Sequence, residues 1–160
     1  MNETKSKGIT LLVIVAALGY FVDVFDLLLF GMVRISSLRS LGIEESLLET
    51  VGLRLDNWQM LGMLLGGIFW GILGDKRGRL KVLFGSILLY SVANLLNAFV
   101  TDVTTYAVIR VIAGIGLAGE LGAGITLVSE MMSKEKRGYG TMIIVTFGAL
   151  GAVVASLVGS

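Results

Sequence analysis

Long apolar runs alternate with short polar breaks along this chain. Ile9 to Val33 is interrupted only by Asp23 and Asp26. Met60 to Leu73 and Val82 to Val100 are apolar almost throughout, and two further runs extend from Tyr106 to Met132 and from Tyr139 to Ser160. About 20 apolar residues in helical form match the hydrocarbon core of a bilayer. The pattern therefore predicts an all-α polytopic membrane protein with five transmembrane helices, near residues 9–33, 51–73, 80–100, 106–132 and 139–160. The first run is too long for a signal peptide, whose apolar core is about 7–15 residues, and it holds two acids, so it reads as a retained helix.

The breaks carry their own information. Arg34 to Thr50 mixes polar residues with Ile35, Leu38, Leu41, Leu47 and Leu48, predicting a broken amphipathic segment at a membrane surface. Asp56-Asn57-Trp58-Gln59 leads into the second helix, with Trp58 suited to the interface. The turns at 74–81 and 133–138 are strongly charged, whereas Thr101 to Thr105 is a short link holding Asp102. Lys5, Lys7, Lys76, Arg77, Arg79, Lys81, Lys134, Lys136 and Arg137 fall on one side, and Arg34, Arg39 and Arg54 on the other. Nine basic residues against three place the N-terminus inside.

Composition agrees. The chain is 55% hydrophobic and 16% charged, with a mean hydropathy of +0.87, against about 25% charged for a soluble domain. A net charge of +1 and the lack of a basic run argue against a nucleic-acid partner. Without cysteine or histidine, no disulfide, Cys or His metal site or Ser-His-Asp triad can form. No metal or organic cofactor is expected. Proton chemistry falls to Asp, Glu, Arg or Lys, and with no proline any helix break rests on the 22 glycines.

An ionised side chain at the bilayer centre costs about 2.5–3.5 kcal/mol. The candidates that bear this cost are Asp23, Asp26, Arg110 and Glu120. Asp23 and Asp26, three apart, share a helix face. Asp23 lies roughly 21 Å along the first helix from Ile9, and Arg110 about 10 Å into the fourth, so the depths coincide within a core about 30 Å thick. An isolated buried acid takes up a proton, and one beside Arg stays ionised. A partner that comes and goes thus makes a proton carrier, whereas a fixed one makes a static tie between helices. Glu120 sits among Gly114, Gly116, Gly119, Gly122 and Gly124, which strip one face of side chains and favour close helix packing. The acid in that stretch shifts the reading towards a cavity. Gln59, Asn94 and Asn97 are amides suited to the same cavity or to bonds between helices.

Gly71-x-Leu-Gly-Asp75-Lys-Arg77-Gly78-Arg79 resembles the signature loop between helices two and three of the major facilitator superfamily. Arg110-x-x-x-Gly114-x-Gly116-x-x-Gly119 resembles its helix-four motif. Glu130 with Arg137-Gly138 resembles the acid and arginine at the cytoplasmic end of helix four in its sugar and metabolite porters, and Asp23-Val-Phe-Asp26 the D-x-x-D of its metabolite/proton symporters. The resemblance implies a cytoplasmic gate built from Gly71, Asp75, Arg77, Gly78, Arg79, Glu130 and Arg137. It also implies proton coupling at Asp23 or Asp26 modulated by Arg110, and a cavity faced by Glu120 with Gln59 and Asn94 as further substrate candidates. Leu80 departs from the loop pattern, where Lys81 stands next to it. The proline-containing helix-five motif of drug antiporters is absent, which favours symport.

The implied fold is the first part of the N-terminal six-helix half of that superfamily. The sixth helix and the second half are then expected as partners, together with a small-molecule substrate and the lipid bilayer. The implied function is not enzymatic: secondary active transport of a sugar, carboxylate or aromatic acid by alternating access, coupled to protons as symport, in a bacterial plasma membrane. The alternatives are a proton-independent uniporter and a non-transporting membrane fragment or assembly partner. A membrane-embedded protease, which also uses paired acids, leaves the 74–81 loop without a role.

Overall fold

In the computed structural model, residues 3–159 are described, with side chains for residues 8–158. Every regular element among them is helical: α1 (Glu3–Ser40), a short 3-10 turn (Glu45–Leu47), α2 (Leu48–Arg77), α3 (Arg79–Asn97), α4 (Val103–Met131) and α5 (Arg137–Gly159). Four stretches, Gly8–Ser40, Arg79–Asn97, Val103–Met131 and Arg137–Val158, are long and apolar enough to cross a membrane. The chain is a multi-pass, all-α integral membrane protein.

α2 is the exception among the five. Its 30 residues give about 45 Å of helix, ample for a bilayer. Asp56, Asn57, Gln59 and repeated glycines dilute its apolar character, and these residues are used inside the protein. Asp56 and Gln59 accept from arginines, and Gly62 and Gly66 press against α4. Hydropathy alone under-reads a helix whose polar groups are satisfied by its neighbours.

The segment after residue 33 also differs from the sequence expectation. Instead of a broken surface segment, α1 continues to Ser40 and stops where Gly42 takes φ +78°. Three ion pairs hold this end. Arg34 pairs with Asp56 and, at 3.3 Å, with Glu49, and Arg39 Nε pairs with Glu45 at 2.6 Å. The Arg39 hydrogen bond holds the Glu45 carboxyl below its ordinary pKa. The charged 74–81 break is tighter than a loop. α2 runs through Arg77, and Gly78 alone separates it from α3. Gly78 has φ +90° and ψ 143°, a conformation open essentially only to glycine, and its N–H donates to Gly74 O at 3.0 Å.

The chain divides into two compact units, one of residues 1–30 with 124–160 and one of residues 31–123. In the first, Val13, Ala16, Ala17, Val128 and Ile144 form the core, joined by Tyr20 and Phe147. A Cβ at Gly148 would strike the Tyr20 ring, and one at Gly151 the Phe21 carbonyl, so α1 and α5 run parallel in close contact. In the second unit, Tyr90, Ala93, Ile109, Ala113 and Leu117 form the α3–α4 core.

The α4 glycines do not strip a single face. Residues 114 and 116 are about 200° apart on a helix, and they serve two neighbours. Gly114 admits the Gln59 backbone of α2, whereas Gly116 admits Tyr90 of α3 and Gly119 admits Trp70 and Ser86. Gly122 has open space where a side chain would be.

Candidate functional site

The second unit builds a polar centre from two glycine contacts. Gly62 and Gly66, four apart on α2, meet the α4 backbone at Val111 and Ile115, a small-x-x-x-small approach that only missing side chains permit. With α2 and α4 parallel and in backbone contact, Gln59 and Arg110 fall opposite each other. Arg110 Nη2 donates to Gln59 Oε1, and the two residues are 2% and 4% exposed. Guanidinium only donates, so the amide oxygen must face it and the amide nitrogen takes the other branch. That Nε2 is buried and meets no protein acceptor among the described residues.

Glu120 is also buried. It lies ten residues beyond Arg110 on α4, about 15 Å along the helix, between Gly119 and the open space at Gly122. Asn94 is half-buried and accepts from Asn97 Nδ2 at 3.4 Å, an amide pair on α3. Towards their N-termini α2 and α4 leave a cleft of about 460 Å³. Leu55, Ala107 and Val111 supply apolar wall, with Trp58, Arg54 and Thr104 among the remaining lining residues.

The charged break of this unit is ordered by Asp75, whose Oδ1 pairs with Arg79 Nη2 at 2.5 Å across the Gly78 turn. Gly71 is half-buried near the end of α2, and Arg77 is exposed at its last position. Two contacts had no clear sequence signal. Trp70 Nε1 donates to Ile115 O at 2.7 Å, with the indole seated where Gly119 lacks a side chain. Arg34 ties the end of α1 to Asp56. The glycine spacing of α2 marks its packing face; the Trp70 acceptor, a backbone carbonyl, has no residue-type signature.

The first unit holds the paired acids. Asp23 is 2% exposed and Asp26 half-buried, on adjoining turns of α1. Glu130 is exposed near the end of α4, and Arg137 is exposed at the first residue of α5, its Nε donating to Met132 O at 3.3 Å. Asp23 and Asp26 thus belong to one unit, and Arg110, Gln59 and Glu120 to the other.

Known proteins show a consistent likeness. Residues 10–160 match the family model described as Major Facilitator Superfamily. A Bacillus subtilis protein named for niacin and nicotinamide transport is 32% identical over 144 residues, which are 90% of this chain and 35% of that protein. A Haemophilus influenzae protein named for metabolite transport is 35% identical over 156 residues, 98% of this chain and 37% of the relative. The gentisate transporter of Corynebacterium glutamicum is 26% identical over 162 residues, covering 96% and 36% respectively. The chain spans roughly a third of the length of these relatives. With a family match over nearly all its residues, on helices that carry the loop and helix-four motifs in order, the chain belongs to the Major Facilitator Superfamily.

Proposed function

We propose that the chain forms part of a secondary active transporter that carries a small organic metabolite through a bacterial plasma membrane in symport with protons. The observation that carries this reading is Asp23, a carboxyl 2% exposed in the interior of α1, a helix apolar enough to cross a bilayer. Such a group is costly in lipid, and proton binding and release is what an intramembrane acid does best. Support for a small organic substrate comes from the relatives named for niacin, nicotinamide, gentisate and metabolite transport.

The roles follow the charge distribution. Asp23, with Asp26 on the same face, carries the proton, and Arg110 modulates it. Glu120, Gln59 and Asn94 serve the substrate cavity. Asp75 and Arg79, already paired across the Gly78 turn, act with Gly71, Arg77, Glu130 and Arg137 as the cytoplasmic gate. A sixth helix and a second half complete the substrate path, since binding at a midplane between repeats needs both.

The test is pH-driven uptake in membrane vesicles containing the protein expressed from its own locus. Asp23→Asn and Asp26→Asn are each made, and at least one abolishes accumulation driven by an inward proton gradient while leaving exchange of substrate intact. Full gradient-driven accumulation in both variants would remove the coupling assignment.

A further inference from the structure

The cleft of about 460 Å³ between the N-terminal parts of α2 and α4 has Arg54 as its one charged lining residue, with Trp58 and Thr104 beside it. Arg54 is exposed and makes no ion pair among the described residues. The acids nearest in sequence are committed elsewhere. Glu49 and Asp56 hold Arg34, and Asp102 accepts from the Thr105 N–H at 2.8 Å and the Thr105 hydroxyl at 2.6 Å. Thr104 lies in the first turn of α4, a helix apolar enough to cross a bilayer, and the backbone contacts at Gly62 and Gly66 set α2 alongside it. The mouth of the cleft is therefore at the depth where the chain enters lipid, among headgroups rather than in hydrocarbon.

From that mouth inwards, α2 turns from polar to apolar along one line. At about 100° per residue, positions 54, 58, 61 and 65 fall within about 60° of one another. Arg54 leads, Trp58 follows at 47% exposed, and Leu61 and Leu65 come next, both exposed. Arg54 to Leu65 is about 16 Å of helix, close to one leaflet of a core about 30 Å thick. A phospholipid has the same order of parts. Guanidinium forks onto a phosphate through two N–H groups, indole sits at the interface, and leucines meet an acyl chain. A protein covering this groove would have to bring an acid for Arg54, whereas an anionic lipid brings its own phosphate. We propose that the groove binds an anionic phospholipid from the leaflet around the N-terminal ends of α2 and α4. Its phosphate rests on Arg54 and Thr104, and one acyl chain lies along Leu61 and Leu65. The inference needs only that the chain lies in a bilayer, and it goes beyond the transport reading.

The test uses the full chain in phosphatidylcholine vesicles, with Trp58 as the probe and brominated lipids as contact quenchers. The chain holds two tryptophans, so the emission of a Trp58→Phe variant, which comes from Trp70 alone, is subtracted. Brominated phosphatidylglycerol quenches Trp58 at a mole fraction about fivefold lower than brominated phosphatidylcholine does, the preference expected of one basic residue near the surface. Arg54→Gln brings the two lipids to within about twofold. Soluble glycerol phosphate, which has the phosphate without the chains, leaves the quenching unchanged at equal total concentration.

Equal quenching by the two lipids, a preference that survives Arg54→Gln, or displacement by glycerol phosphate overturns the proposal. Quenching by neither lipid overturns it as well, because protein then covers the groove. Should Arg54→Gln fail to fold, the unaltered chain is measured at about 1 M salt, where the screening length is about 3 Å. The preference then falls by about half or more, and one indifferent to salt overturns the proposal. None of these outcomes touches the coupling assignment, which stands or falls on gradient-driven uptake in the Asp23 and Asp26 variants.

Discussion

The two units are held together by different physics. In the unit of residues 31–123, specific polar bonds join the helices: Arg34 to Asp56, Arg110 to Gln59, and Trp70 to the Ile115 carbonyl. Two glycines of α2 there lie against α4 backbone, which cannot yield. In the unit of residues 1–30 and 124–160, contact is mostly apolar, and the notch at Gly148 receives the ring of Tyr20. A ring can swing away, whereas a helix backbone cannot. The first arrangement sets one register firmly. The second has one backbone approach, Gly151 against the Phe21 carbonyl, beside the yielding ring at Gly148, so fewer fixed contacts hold its register.

The sharpest way to break this contrast is a side chain at a backbone contact. A Cβ at Gly66 would lie 2.6 Å from Ile115 Cα, so Gly66→Leu separates α2 from α4 and abolishes folding. Circular dichroism and detergent size-exclusion profiles will show an expanded or aggregated product. Gly148→Ala in the other unit meets only the Tyr20 ring, and costs about 1–3 kcal/mol of overpacking. Tyr20→Ala made together with it restores most of the thermal midpoint. Equal losses for Gly66→Leu and Gly148→Ala would dissolve the distinction between backbone and side-chain contacts.

Next in size is the Gly78 turn. Gly78→Ala forces a side chain into φ +90° and costs about 1–3 kcal/mol, measured as a lower midpoint of thermal unfolding in detergent. An unchanged midpoint would mean that the turn relaxes to another conformation. Arg34→Gln removes the ion pair with Asp56 from a side chain that is 14% exposed. Its cost is about 1–3 kcal/mol for a hydrogen bond to a charged group, and Asp56→Asn in the same background adds less than it does alone. Additive losses would show that the two residues act independently.

The smallest effect is at Asp102. Its bonds to Thr105 hold the carboxyl below the usual aspartate value. A depressed folded-state pKa contributes stability that is complete above the unfolded value, near pH 4, and is lost as pH falls through the folded value. Asp102→Asn therefore lowers stability slightly at neutral pH and flattens the acid limb of the stability profile. An acid limb that matches the wild type would remove Asp102 as its source.

Much of this architecture is readable in the chain itself. Apolar runs bounded by charge set the membrane class and helix count, because lipid leaves few alternatives to helix for a buried backbone. The loop from Gly71 to Arg79 and the spacing from Arg110 to Gly119 carry the family. Asp23, Arg110 and Glu120 stand out for one physical reason: ionisable groups are rare where water is scarce. Helix ends were harder to place. α1 runs on to Ser40 because Arg34 and Arg39 find acids downstream, and polarity along the sequence cannot distinguish a paired arginine from a solvated one.

Tertiary structure alone decided which glycine serves which neighbour, and therefore which side chains meet. Gly114 and Gly116 look alike in sequence, yet one faces α2 and the other α3, since about 100° of rotation per residue sends close neighbours to different partners. That assignment puts Gln59 opposite Arg110, consumes its oxygen and leaves its nitrogen as a buried donor. Composition fixes what kind of solvent each segment can enter. Only the three-dimensional meeting of α2 and α4 determines where a hydrogen bond is already made and where one is still available.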